Sequence, residues 1–346
     1  MLAKFILRRA LAAIPVVVGV TVITFFLMHS TAGSYVPGLA LNPNLTAKDV
    51  ALLRSQLGLD QPLWIQYLDW TGVAWLVQHV GLGGLLVGAN GDATPGLLQL
   101  SFGQSMVDGT SVSSQLFDRL PNTILLTVTA ILIGIALSIP LGVIGAMRRG
   151  TRVDHAFTTV SVAGVAVPQF WLGLICILFF SVRLHDWGLP FLPSSGIQTP
   201  FTGGDLLDRL AHLIMPAAVL SFVYLAIWSR FTRSSMLEVL SQDYVRTARA
   251  KGMGERRVTY IHALRNAVIP LVTLVGLELP GLVSGGLVVE AVFGWPGIGL
   301  LAYQRALAYD YTMVLGIVTF ASILVVAGNL LADVLYASFD PRIRLA

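Results

Sequence analysis

Three polar side chains in apolar stretches are the residues of this sequence best placed to do chemistry inside a membrane. Glu278 lies in the run 268–292, and Asn329 and Asp333 lie in the run 311–339. A charge in hydrocarbon costs about 3 kcal/mol or more, so such groups face a pathway, water or a partner. We predict Glu278, Asn329 and Asp333 as candidates to line a solute pathway. Asp333 lies near the end of its run, so pairing with an arginine of an inside loop is the favoured alternative for it.

The sequence lacks the common catalytic and metal-binding patterns. No Gly-x-Ser-x-Gly or His-Glu-x-x-His occurs, which argues against a membrane-embedded hydrolase. A nucleotide-binding P-loop needs Gly-x-x-x-x-Gly-Lys-Ser/Thr, whereas Lys4, Lys48 and Lys251 each follow an alanine. The six histidines are scattered singly, and Cys176 is the one cysteine. We therefore expect no catalytic residue, metal or cofactor in this chain.

The longest polar stretch between apolar runs, residues 231–265, is basic and has a helical period. Leu237, Leu240, Tyr244 and Ala248 recur at helical spacing on one face, and the cations lie off it. Gly252 is expected to end the helix in a left-handed conformation, before a second amphipathic run, 255–264. This helix, turn and helix suit docking to a soluble partner, although anchoring to anionic lipid would also use cations. The docking candidates are Tyr244 and Ala248 for apolar contact, Arg246, Arg249, Lys251, Arg256 and Arg257 for charge, and Gly252 for the turn.

Composition places the chain among integral membrane proteins. Of its 346 residues 55% are hydrophobic and 12% charged, with a mean hydropathy of +0.77, whereas soluble domains carry about 25% charged residues. Six apolar runs have the length that a hydrocarbon core of about 30 Å requires, so one all-α domain is predicted. The first run follows Lys4, Arg8 and Arg9 as a signal peptide would, but its apolar core is too long. The predicted spans are 10–29, 121–147, 157–182, 211–230, 266–292 and 311–339, and Pro140, Pro168, Pro216 and Pro280 are expected to kink or break four of them.

The distribution of basic residues predicts the orientation. With a cytoplasmic N-terminus, sixteen of the 22 Lys and Arg residues fall on the inside, as the positive-inside rule favours. Both termini and residues 231–265 are then cytoplasmic, and residues 31–120 form an exported loop. Short helices at 49–57 and 64–79 are expected to lie along the outer face; a seventh span at 72–87 would reverse every later loop. The expected interfacial aromatic belt consists of Trp64, Tyr67, Trp70 and Trp75.

Several stretches resemble one family of transport proteins. The sequence YVRTARAKG at 244–252, followed by HALR at 262–265, is similar to the ATPase-contact loop of the dipeptide and oligopeptide permease subfamily of binding-protein-dependent ABC importers. Only Ala248, Gly252 and Leu264 match the general pattern of that loop. Departures are Thr31-Ala-Gly-Ser34 in place of Gly-Asp-Pro, Thr312 in place of a proline, and extra sequence at 71–100. Further similar stretches are LGLDQPLWIQYL at 57–68, LPNTILLT at 120–127, VFGWPGIGLL at 292–301 and NLLADVLYASFDPRIR at 329–344.

The resemblance implies a permease subunit that forms half of a translocation pathway in a bacterial or archaeal cytoplasmic membrane. It adds His262 and Leu264 to the docking residues. The implied partners are a homologous second permease subunit, two ATP-binding subunits that hold ATP and Mg²⁺, an exported solute-binding protein and the lipid bilayer, with no nucleic acid. The implied solutes are peptides, glutathione, nickel complexes or oligosaccharides. The alternative is a proton-coupled secondary transporter with Glu278 and Asp333 as a relay, although no inverted repeat is visible.

Overall fold

The computed structural model describes residues 2–31, 60–80, 95–201, 204–278 and 286–339, with the single positions 46, 48 and 281. Within these ranges every regular element is helical, and the only strand-like pairing is one isolated bridge between Gln104 and Ser111. The all-α class is therefore confirmed. The helices are α1 Leu2–Thr31, α2 Leu63–Trp70, α3 Val73–His79, α4 Val112–Met147, α5 Arg152–Ala166, α6 Gln169–Asp186, α7 Leu206–Leu240, α8 Asp243–Ala250, α9 Glu255–Ala267, α10 Ile269–Glu278, α11 Leu287–Val292, α12 Ile298–Leu307 and α13 Tyr311–Phe339.

Among the described residues, five helices are long and apolar enough to cross a membrane. They are α1, α4, α6, α7 and α13, and the number rises to six if α9 and α10, which meet at a bend of 42°, form one span. The chain is thus a multi-pass membrane protein. Pro140 and Pro216 lie inside continuous helices, α4 and α7, whereas Pro280 lies outside the described residues.

The predicted span 157–182 is divided into two helices. α5 ends at Ala166, Val167 has an extended ψ of 122°, and α6 begins after Pro168. The proline ring disfavours helical geometry at the preceding residue and supplies no N–H, so the helix ends there. The apolar helix that follows therefore begins at Gln169 rather than at residue 157, and its residues 177–183 are π-helical.

One compact unit contains the described residues up to Pro121 together with Leu301–Leu330. Within it, α2 and α3 are two short helices in the region predicted for them, 64–79, joined at Gly72 with φ +79°; the helix predicted at 49–57 lies outside the described residues. The Tyr67 hydroxyl lies 2.9 Å from that of Thr21, and the ring of Tyr67 packs edge-on against Phe25. α2 therefore packs against α1 through both polar and aromatic contacts.

Asp310 joins two stretches of the same unit. It is fully buried, and its carboxylate accepts hydrogen bonds from the Ser105 hydroxyl and from the backbone N–H groups of Met106 and Met313. The Met313 N–H lies in the first turn of α13, so Asp310 also caps that helix. Arg305 adds an ion pair to Asp108 at 2.5 Å.

The second compact unit contains the described residues between Asn122 and Leu300 and those from Leu331 to Phe339. In it α7 packs closely on α4. A methyl group at Gly134 would lie 2.9 Å from Cβ of Tyr224, and one at Gly142 would lie 2.6 Å from Cβ of Thr232. Contacts this short exclude any larger side chain, so the two backbones approach as small residues allow in membrane helices. Trp228, 1% exposed, fills the space between these two contacts.

Candidate functional site

The predicted docking segment folds as α8, a tight turn and α9. Gly252 has φ +74°, its N–H donates to the Arg249 carbonyl at 2.9 Å, and the Met253 N–H donates to the Ala248 carbonyl at 3.3 Å. These two bonds form a Schellman motif, which needs a left-handed residue at the position of Gly252. The prediction that Gly252 ends the helix in this conformation is confirmed.

The buried face of α8 differs from the predicted one by a single residue. Val245 and Ala248 are buried together with Val258 of α9, whereas Tyr244 is 43% exposed. The prediction carried the period of α7 into α8 as if they were one helix. α7 ends at Leu240, and Gln242 is extended with ψ 150°, which breaks the phase between the two helices. Ala248 therefore packs inside the chain and is not presented to a partner.

The cations of the segment lie on its water-facing side but are not equally available. Arg249 donates to both carboxylate oxygens of Glu255, with a shortest distance of 2.7 Å, so this pair bridges the turn. Arg246 is 70% exposed, and its ion pair with Asp243 is long, at 3.4 Å. Lys251 is also exposed. Arg256 and Arg257 of α9 are exposed as well. Arg246, Lys251, Arg256 and Arg257 are thus more available to a partner than Arg249.

The remaining docking candidates lie on or beside α9, which leads into α10. His262 is partly buried within a π-helical stretch, Val258–Ala263. Leu264 packs against a buried cluster that includes Met236 of α7. The Tyr244 hydroxyl accepts a hydrogen bond from Asn266 Nδ2 at 2.9 Å, which ties α8 to α9. Leu264 and Tyr244 therefore connect the segment to the rest of the bundle.

An ion pair that sequence analysis missed joins α7 to α5. Arg233 donates from Nε and Nη2 to the two oxygens of Asp154, at 2.6 and 2.8 Å, and the Gly150 N–H donates to the same carboxylate at 2.9 Å. The Arg233 guanidinium and then the Gly150 amide lower the pKa of Asp154 to about 2. A methyl group at Gly145 of α4 would lie 3.2 Å from Cδ of Arg233, so the arginine side chain passes over this glycine.

The pathway candidates have different surroundings. Glu278 is partly buried at the end of α10 and lies near Tyr224 of α7. Asn329 is exposed on α13. The side chain of Asp333 lies outside the described residues, so its pairing with an arginine stays a prediction. Among the described residues, no group of three or more His, Cys, Asp or Glu side chains could hold a metal ion.

A buried polar cluster was not predicted from the sequence. It is formed by Asn122, Thr123, Glu290 and Trp295 and is called the Asn122–Glu290 cluster. Thr123 Oγ1 donates to Glu290 Oε1 at 3.0 Å and accepts from the Ile298 N–H at 2.8 Å. Trp295 Nε1 donates to the Asn122 carbonyl at 2.9 Å. Further bonds run from Asn122 Nδ2 to the Pro296 carbonyl and from the Leu300 N–H to Glu290 Oε2.

This cluster unites two stretches that the sequence offered only as family resemblance, LPNTILLT and VFGWPGIGLL. Glu290 is 0% exposed, and a methyl group at Gly297 would lie 2.4 Å from its carboxylate. Only glycine fits there, because the turn before α12 closes directly over the carboxylate. The signal available in the sequence was the same as for Glu278, an acid within an apolar run.

The chain is similar to known transport proteins over nearly its whole length. Residues 138–345 match the family described as binding-protein-dependent transport system inner membrane component, and residues 1–127 match the corresponding N-terminal family. The oligopeptide transport system permease protein AppB of Bacillus subtilis (strain 168) is 39% identical over 99% of this chain and 100% of its own length. The dipeptide transport system permease protein DppB of Escherichia coli (strain K12) is 36% identical over 99% and 98%.

A third relative and one solved structure extend the comparison. The glutathione transport system permease protein GsiC of Salmonella choleraesuis (strain SC-B67) is 36% identical over 99% of both chains. A structure of the MetNI methionine ABC transporter in inward-facing conformations matches 64% of this chain and 95% of its own chain, with 18% identity and a TM-score of 0.45.

Proposed function

Since the chain belongs to the family of binding-protein-dependent transport system inner membrane components, we propose that it is the membrane-spanning subunit of an ATP-driven importer of peptides or similarly small solutes. The observation that carries this proposal is similarity over 99% of the chain to oligopeptide and dipeptide permease proteins. The proton-coupled alternative finds no support among these relatives.

The proposed assembly contains a homologous second permease subunit, two ATP-binding subunits and an exported solute-binding protein. ATP and Mg²⁺ would be held by the ATP-binding subunits, because this sequence has no P-loop motif. Closure of those subunits around ATP would shift the equilibrium between outward-open and inward-open forms of the pathway.

Uptake into proteoliposomes tests this function. The chain is purified with its partner subunits and reconstituted, and uptake of radiolabelled trialanine is measured in the presence of the solute-binding protein. We expect uptake with ATP and none with a pH gradient alone. Uptake driven by the pH gradient without ATP would contradict the proposal and favour the secondary transporter.

Docking of the ATP-binding subunits is proposed to use the water-facing side of α8. Arg246 and Lys251 are exposed there, and the ion pair of Arg246 with Asp243 is long, at 3.4 Å. Both can therefore make charge-assisted hydrogen bonds to a partner, worth about 1.5 to 3 kcal/mol each. Arg249 has a different proposed role, because its ion pair with Glu255 stabilises the turn between α8 and α9. Val245 and Ala248 would transmit the force, since both pack on the chain's own core.

Replacing Arg246 and Lys251 by alanine distinguishes docking from lipid anchoring. Arg246→Ala combined with Lys251→Ala should yield an inserted subunit that loses its ATP-binding partners during purification, with association weakened about 10²-fold or more. Arg148→Ala combined with Arg149→Ala is the matched control, because both arginines are exposed in another basic segment. Equal recovery of partners with both double variants would contradict docking through α8.

The orientation is proposed to place α8 in the cytoplasm and α2 outside. Cys176 is the only cysteine in the sequence, so replacing it by serine gives a clean background. Leu63→Cys in α2 should then react with an impermeant thiol reagent added to intact cells, and Arg256→Cys in α9 should react only after lysis. Reversed labelling would contradict the proposed topology.

A further inference from the structure

Glu278 is the last residue of α10 and lies next to the centre of the predicted span 266–292. α10 reads IPLVTLVGLE, with no other ionisable side chain. Glu278 is partly buried. A carboxylate at that depth is strongly unfavourable unless a counter-charge or water meets it, and for that reason intramembrane acids usually mark a functional site.

Glu278 lies on the side of α10 that faces α7. Leu271, Leu274 and Val275 of α10 pack in one cluster with Trp228 and Tyr224. Residue 278 follows these positions by seven, four and three residues, so it continues the same helical stripe. The carboxylate therefore points along the stripe towards α7, and Tyr224 interacts with it electrostatically.

The rings of Tyr224 and Trp228 are stacked on each other, with centroids 4.8 Å apart and an angle of 16° between their planes. Among the residues that the structure describes, the Glu278 carboxylate has no arginine, lysine or histidine in an ion pair with it. The site thus places a negative charge near Tyr224, without a cation among the described residues, and such a charge attracts a cation.

We propose that Glu278 binds a cationic group of the solute in transit, the primary ammonium at the amino end of a peptide. This inference rests on the proposed function, since it requires a peptide in the pathway. An ammonium group offers three donors and a full positive charge, so it can pair with a carboxylate that has no ion pair with a cation among the described residues.

The test compares uptake of two probes by the complete transporter in proteoliposomes. The probes are trialanine and N-acetyltrialanine, which lacks the ammonium, each supplied on saturated solute-binding protein. Glu278→Gln should lower ATP-driven uptake of trialanine by about tenfold or more, the equivalent of one charge-assisted hydrogen bond. Uptake of N-acetyltrialanine should be unchanged, and Glu278→Asp should keep the wild-type preference.

A control variant makes the result specific. Asp118→Asn removes an exposed carboxylate elsewhere and should leave the ratio of the two probes at its wild-type value.

Three results would overturn the inference. One is undiminished ATP-driven uptake of trialanine by Glu278→Gln. Another is an equal loss of uptake of both probes, which would indicate a structural or proton-binding role for Glu278. A wild type that imports neither probe with ATP would overturn the proposed function and this inference with it.

Discussion

Replacing Thr123 by valine tests whether the Asn122–Glu290 cluster stabilises the bundle. Valine has nearly the shape of threonine, so the change creates no cavity and removes only the hydroxyl. That hydroxyl satisfies two buried groups, the Glu290 carboxylate at 3.0 Å and the Ile298 N–H at 2.8 Å. In the variant the Ile298 N–H loses its partner, which costs about 1 to 3 kcal/mol, and Glu290 loses one hydrogen bond to a charged group, worth about 1.5 to 3 kcal/mol, while it keeps the bond from the Leu300 N–H. The expected loss is therefore about 2.5 to 6 kcal/mol.

The same helix provides a matched control in Thr127→Val. Thr127 is 2% exposed, and its hydroxyl donates only to the Thr123 carbonyl, one turn earlier in α4. That carbonyl keeps its helical hydrogen bond when the hydroxyl is removed, so the expected loss is within about 1 kcal/mol. Thr123→Ser, which keeps the hydroxyl, should likewise have a small effect.

The assay uses the single cysteine as a reporter of unfolding. Cys176 packs against the buried cluster that contains Phe293 and Trp295, so a fluorogenic thiol reagent reacts with it when this region opens. At about 2 to 4 °C per kcal/mol for a unit of this size, Thr123→Val should lower the midpoint by about 4 °C or more. A midpoint equal to that of Thr127→Val would refute the reasoning.

Three further predictions concern other contacts. Gly252→Val should give an inserted subunit with uncoupled transport, because valine resists φ +74°, whereas Gly254→Ala, at φ −60°, should retain ATP-driven uptake. Arg233→Asp should lower uptake and the thermal midpoint, and adding Asp154→Arg should restore part of both; no recovery would contradict the ion-pair role. Asp108 has its pKa lowered by the Thr110 hydroxyl and by Arg305, so its contribution is present above about pH 4 and lost on further acidification. The midpoint difference between wild type and Asp108→Asn should therefore shrink below pH 4.

The sequence could predict local features that depend on neighbouring residues. Gly252 followed by a second amphipathic run indicated the left-handed turn, and the structure confirms it. The phase of α8 was wrong because the link at Gln242 resets the helical rotation, which the spacing of apolar residues does not reveal. A proline pattern alone also could not distinguish Pro168, which divides a span, from Pro216, which lies inside a continuous helix.

Contacts between distant residues were beyond the sequence. Asp154 and Arg233 are 79 positions apart, and Thr123 and Glu290 are 167 apart. Neither pair has a local spacing rule, because the first depends on how α5 packs on α7 and the second on how α4 packs on α11. The glycines on α4 that permit its close packing on α7 were visible, but their partners on α7 were not.

The length of α7 has a consequence for the electrostatics of α8. α7 has 35 residues, about 52 Å at 1.5 Å per residue, while the hydrocarbon core is about 30 Å thick. The part of α7 beyond the predicted span, 231–240, extends about 15 Å into water for an axis along the membrane normal. After about 6 Å of headgroups, the start of α8 stands roughly one Debye length, about 8 Å, from the lipid surface. At that distance screening would leave about a third of the surface potential, so a cation at the start of α8 would be attracted to anionic lipid much less than a cation at the membrane surface.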